Sequence, residues 1–215
     1  MDDVLNTKET FIIKIEFVPN SWFDLKFDGV AQSKPKPKIY NAGDTLEIEV
    51  NIMPGKGEVL LTGQLGDVMK ESARTGISYI RSVSRKHNIV EDFFEKHDIH
   101  IHIPEGAVPK DGPSAGITMA TAMLSAITEK KVRADVAMTG EITLRGRVLP
   151  IGGLKEKLLA AKSAGVKTVL VPEKNMRDVE EITLEITKGL EIIPVSYMDE
   201  VLNVAFVKEE EKHEN

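Results

Sequence analysis

Serine and lysine side chains can together carry out acyl transfer, and one residue of each type has a setting that suits the task. The segment Pro109-Lys110-Asp111-Gly112-Pro113-Ser114-Ala115-Gly116 precedes an apolar run. Proline is favoured at the first helical position, so Pro113 predicts a helix start and puts Ser114 inside its first turn. There the hydroxyl lies beside backbone N–H groups at the positive end of a helix dipole. The N–H groups of Ser114 and Ala115 are the candidate donors to an oxyanion. The same pattern fits a serine that merely caps a helix, and local sequence alone favours capping. A nucleophilic serine also needs a base, and a lysine kept neutral by burial is one such base. At ~100° per residue, Leu154, Leu158 and Ala161 form the apolar face of the helix 153–164. Lys157 falls about 60° from Leu154, on the flank of Ala160, Ala161 and Ala164, whereas Lys155 and Lys162 fall on the other flank. Taken by itself, a lysine there is more often one that packs its stem and keeps its amine in water.

His100 and His102 offer a different chemistry. On a strand, residues i and i+2 share a face, so this pair could hold a metal with His97 or Glu105. The stronger H-E-x-x-H spacing is absent. Asp111 lies three residues before Ser114, where it can orient the loop or form an Asx turn.

The elements that must position these residues follow from periodicity. Strands are predicted over 11–17, 46–52, 58–62 and 99–103, with Pro54-Gly55-Lys56-Gly57 turning 46–52 into 58–62 as a hairpin. A helix is expected from Asp67 to Arg85 with a stripe of Val68, Ala73, Ile77, Ile80 and Val83, and another from Pro113 to Ile127. Asp135–Thr143 reads as one strand. Arg145-Gly146-Arg147 turns into Val148-Leu149, and Gly165 closes the helix of Lys157. Strands at 168–171 and 191–195 and helices near 175–182 and 199–207 complete an α+β pattern of mixed sheets with packed helices.

Composition limits the remaining possibilities. The 215 residues carry 41% hydrophobic and 29% charged side chains, an ordinary globular balance. The absence of cysteine excludes disulfides, thiolate nucleophiles and cysteine-ligated zinc. A net charge of −6 does not indicate a nucleic-acid partner. No apolar run reaches the roughly 20 residues of a membrane span. The acidic start does not resemble a signal peptide, so a cytoplasmic location is expected, or an organelle matrix if a transit segment has been trimmed. There is no G-x-x-x-x-G-K-[ST] phosphate loop, hence no ATPase module within these residues.

Longer motifs carry a resemblance. MPGKGEVLLTGQLGDVMKES (53–72), HIHIPEGAVPKDGPSAGITM (100–119) and MTGEITLRGRVLPIGGLKEKLLAAKSAG (138–165) closely resemble the proteolytic domain of bacterial-type Lon proteases, and VLVPEKN (169–175) and VSYMDEVLNVAF (195–206) extend the match. The resemblance implies an α+β fold like ribosomal protein S5 domain 2, with Ser114 as nucleophile and Lys157 as base. It further implies that Thr139 holds the lysine amine, that Asp111 matches an acidic family position, and that His100 and His102 support the loop near the serine and are not ligands, so no metal site is expected. Substrates would be unfolded proteins or peptides, and the assembly a ring-shaped homo-oligomer, a hexamer. No cofactor is implied within this chain; ATP and Mg²⁺ would enter only through an ATPase module elsewhere. The expected organisation is a β-rich segment of unassigned affiliation (1–43), a Lon-type domain (44–207) and a charged tail (208–215). The competing reading is a non-catalytic Lon-like module for oligomerisation or interaction; retention of both Ser114 and Lys157 argues against it.

Overall fold

The computed structural model describes residues 12–15, 45–104 and 110–208. Its elements are β1 (Ile12–Ile15), β2 (Thr45–Pro54), β3 (Val59–Thr62), α1 (Asp67–Ser82), α2 (Phe93–Lys96), β4 (His97–His102), α3 (Gly116–Thr128), β5 (Val136–Met138), β6 (Glu141–Ile142), β7 (Val148–Leu149), α4 (Leu154–Ser163), β8 (Thr168–Pro172), α5 (Met176–Glu181), α6 (Leu184–Thr187), β9 (Glu191–Val195) and α7 (Met198–Ala205). The fold is α+β. A mixed sheet of seven strands runs β3-β4-β2-β1-β5-β8-β9, and β6 and β7 form a separate hairpin.

Alternation along the strands decides where the helices go. On β5, Val136 and Met138 join the larger core with α1, α3 and α7, while Ala137 joins a second core with Leu154, Leu158 and Ala161 of α4. On β8, Leu170 faces the first core and Val169 and Val171 the second. Helices therefore cover both faces of this half of the sheet, and all five β8 residues are buried. In the other half the pattern is one-sided. Leu46 and Ile48 of β2 and Ile99 and Ile101 of β4 are buried, whereas Glu47, Glu49 and Asn51 of β2 and Thr62 of β3 are exposed.

Three expectations are corrected. β2 and β3 do not form a hairpin, because β4 lies between them, antiparallel to β2 and parallel to β3. The intervening turn is bound to β4 itself: Gly55 N donates to Lys96 O (2.8 Å), and Lys56 N and Glu58 N donate to Asp98 Oδ1 (both 2.8 Å). The apolar stripe of α1 begins at Met69, 2% exposed, and not at Val68, which is 45% exposed. The strand expected over 135–143 is broken after Met138, because Thr139 and Gly140 bond to the turn that carries Ser114. The β6–β7 turn and the left-handed Gly165 (φ 75°) after α4 are as expected. β1 lies within the sheet, parallel to β2 and antiparallel to β5, so the expected boundary at residue 43 separates this strand from the sheet it joins.

Candidate active site

Ser114 does not lie in the α-helix. Pro113–Ala115 form a 3₁₀ turn, and α3 starts at Gly116. The cause is local: Ser114 O accepts Gly140 N (2.8 Å) and the Thr139 hydroxyl (3.2 Å), so it has been drawn from the helical pattern to the end of β5. Ile117 N returns a bond to Gly140 O (3.1 Å), and Thr139 N is held by Leu170 O (3.1 Å). The turn is thus tied by backbone groups to the centre of the sheet.

Lys157 reaches the same point from the opposite face. It lies on α4, is 3% exposed, and its Nζ donates to Ser114 Oγ at 3.4 Å. Burial drives its pKa from 10.5 down to about 8, opposed slightly by the neighbouring Glu156 carboxylate. The site is therefore a seam: α3 and its turn come from one layer, α4 from the other, and both meet beyond the C-terminal end of β5. Thr139, at that end, is 1% exposed, and its hydroxyl keeps lone pairs that can accept from an ammonium.

Asp111 braces the turn through α1. Its Oδ1 accepts Met69 N (3.0 Å) and Gly112 N (2.9 Å). Met69 is in the first turn of α1, where Gly66 at the capping position has no side chain to offer, so Asp111 supplies the cap from a distant segment. A Cβ at Gly66 would lie 2.3 Å from the Asp111 Cγ, so glycine is what admits the carboxylate. Backbone bonds from Gly66 N to Lys110 O (2.7 Å) and from Lys110 N to Gln64 O (3.1 Å) close the same latch.

The histidines lie elsewhere. His100 Nε2 and His102 Nδ1 meet the Thr62 hydroxyl at 2.9 and 2.7 Å on the outward face of the β3-β4-β2 half. His97 cannot join them. Three positions before His100, it projects to the other face, where its ring stacks on Phe93 at 4.4 Å. Glu105 lies outside the described residues, and among those described no group of three metal-ligating side chains converges.

Asn175 was not singled out by sequence reasoning. Its buried side chain bridges Ile151, accepting from its N–H and donating to its carbonyl (both 2.9 Å), which fixes the segment feeding α4. Apart from its place in the VLVPEKN stretch, nothing marks it in the sequence.

Residues 38–208 match the family described as the Lon protease (S16) C-terminal proteolytic domain. The chain belongs to this family. It is 73% identical over 165 residues to a Lon protease of Lachnoclostridium phytofermentans, covering 77% of this chain and 20% of that protein. It is 60% identical over 173 residues to a Lon protease of Clostridioides difficile (80% and 22%), and 60% over 167 residues to Lon protease 1 of Bacillus subtilis (78% and 22%). The chain thus spans about a fifth of the length of these Lon proteases.

Proposed function

We propose that this Lon-type domain is a serine endopeptidase that cleaves unfolded or damaged polypeptides through a Ser–Lys dyad. The observation that carries the reading is the buried Lys157 amine, with its pKa lowered to about 8, at 3.4 Å from the Ser114 hydroxyl. A lysine so placed is neutral in an appreciable fraction of molecules near neutral pH, which an exposed lysine is not. Neutral Lys157 takes the Ser114 proton as Oγ attacks the peptide carbonyl. The ammonium then protonates the leaving amine, and water hydrolyses the acyl-enzyme. Thr139 accepts a hydrogen bond from the ammonium, and the N–H groups of Ser114 and Ala115 receive the oxyanion. Asp111 holds the turn through α1, and His100 and His102 support the preceding strand and loop.

This chemistry calls for no metal or organic cofactor. ATP and Mg²⁺ act only through an ATPase module in a longer protein, which would also unfold and feed substrates. A cytoplasmic, ring-shaped homo-oligomer with enclosed active sites fits the family; among the described residues no helix is long and apolar enough to cross a membrane.

Hydrolysis of casein without ATP tests the reading. Ser114→Ala should reduce turnover to background. Lys157→Ala should reduce it by about 10²–10⁴-fold, the usual share of a general base, with far-UV circular dichroism unchanged. Turnover that survives Ser114→Ala would refute the dyad.

A further inference from the structure

Ser72 of α1 is 7% exposed, and its Oγ is buried with no hydrogen-bond partner among the described residues. Other core hydroxyls are occupied: Thr118 bonds Met138 O, Thr121 bonds Ile117 O and Ser125 bonds Lys130 O. Ser78, on the same helix, uses the local solution of bonding back to Arg74 O at 3.0 Å. An orphaned buried hydroxyl is destabilising, so its location matters. A Cβ placed on Gly116 would come within 2.9 Å of Ser72 Oγ and 2.8 Å of Ile142 N. Gly116 is the first residue of α3, and its N–H closes the Ser114 turn on Pro113 O. The hydroxyl therefore lies directly against the backbone that carries the nucleophile, in the space that glycine leaves open.

We propose that Ser72 is a positioning residue for Ser114: the Ser72 hydroxyl takes a backbone partner in the 113–116 turn in the transition state. The bond forms only as the carbonyl becomes tetrahedral. It steadies the turn while the N–H groups of Ser114 and Ala115 face the oxyanion. An interaction made only in the transition state raises kcat without tightening substrate binding. This inference rests on the Ser114–Lys157 reading above.

The test compares the whole chain with Ser72→Ala, Ser78→Ala and Ser114→Ala, using an internally quenched peptide and thermal unfolding. Ser72→Ala should lower kcat by about tenfold or more, one hydrogen bond's worth, with KM within about twofold. Its Tm should rise by about 2–4 °C, because an unpaired buried hydroxyl is gone. Ser78→Ala measures the share of that rise due to alanine's helix preference, and should leave kcat unchanged. An unchanged kcat in Ser72→Ala, or kcat and Tm falling together as for an ordinary packing residue, would overturn the proposal. Wild type no more active than Ser114→Ala would defeat the dyad reading itself, and the role of Ser72 would fall with it.

Discussion

The two halves of the sheet solve the burial problem differently. In β5 and β8 every described side chain is buried, because α1, α3 and α7 cover one face and α4 the other. In β2 and β4 only alternate residues are buried, and Glu47, Glu49 and Asn51 stand in solvent among the described residues. The Ser114–Lys157 pair belongs to the two-sided half. Only a strand with a helix layer on each face can receive a serine from one layer and a lysine from the other, and only there is the amine dry enough to lose its proton near pH 8.

The largest effects should follow that division. Val169, 0% exposed on the α4 side of β8, packs in an apolar core with Leu154, Leu158 and Ala161. Val169→Asp should cost more than about 4 kcal/mol and leave the chain unfolded at 25 °C. Glu49→Thr, on the outward face of β2, should change stability by no more than about 0.5 kcal/mol. Urea melts of the two variants check this pair of values. Equal losses would mean that the outward face of β2 is covered after all.

A smaller, pH-dependent effect distinguishes Lys157. Its folded pKa, about 8, lies below the 10.5 of the unfolded chain, so between those values the unfolded state binds more protons. Stability should therefore rise with pH through that window and level off above it. Below pH 8 the buried charge costs roughly 3 kcal/mol, from ~1.4 kcal/mol per pKa unit. Lys157→Met removes the group and isolates the effect from other titrations. The stability advantage of the variant should be greatest at pH 7 and shrink by pH 10, while peptidase activity is lost at every pH. Parallel stability curves for the two proteins would show that the amine is not buried in solution. Wild-type activity should climb from pH 6 to 9 as the neutral amine accumulates.

The one-sided half was the more legible in sequence, since strict alternation over 46–52 states both strand and face. Its pairing was not legible. Nothing local in Pro54-Gly55-Lys56-Gly57 says that residues some forty positions later will part β2 from β3; the Asp98 carboxylate that takes the turn's N–H groups does. In the two-sided half, helical angles alone singled out Lys157, because small residues flank it on α4. Local sequence made Ser114 legible as a helix-start serine, and only the longer motifs marked it as a nucleophile. Its 3₁₀ turn and the break after Met138 are one event, set by bonds among Ser114, Thr139 and Gly140 that close over some twenty-five residues. Asn175 was invisible for a related reason. Its side chain bonds backbone groups, which no residue pattern displays.

A smaller loss than at Lys157 is expected at the hydroxyl between His100 and His102. Thr62 Oγ1 carries one proton, so it can donate to one ring nitrogen and must accept from the other when both rings are neutral. The site is on the outward face beside an exposed threonine, where water can replace each bond that is lost. Thr62→Val keeps the β-branched shape on β3 and should cost about 0.5–1.5 kcal/mol, the net worth of a typical hydrogen bond. Because the pair bonds to β3 and Asp111 braces the Ser114 turn separately through α1, kcat should fall less than threefold. A urea melt and a casein assay check both values. A loss of activity approaching that of Lys157→Ala would mean that the one-sided half transmits its geometry to Ser114. The latch at Gly66 and Asp111 would then be insufficient to hold Ser114 without the histidines.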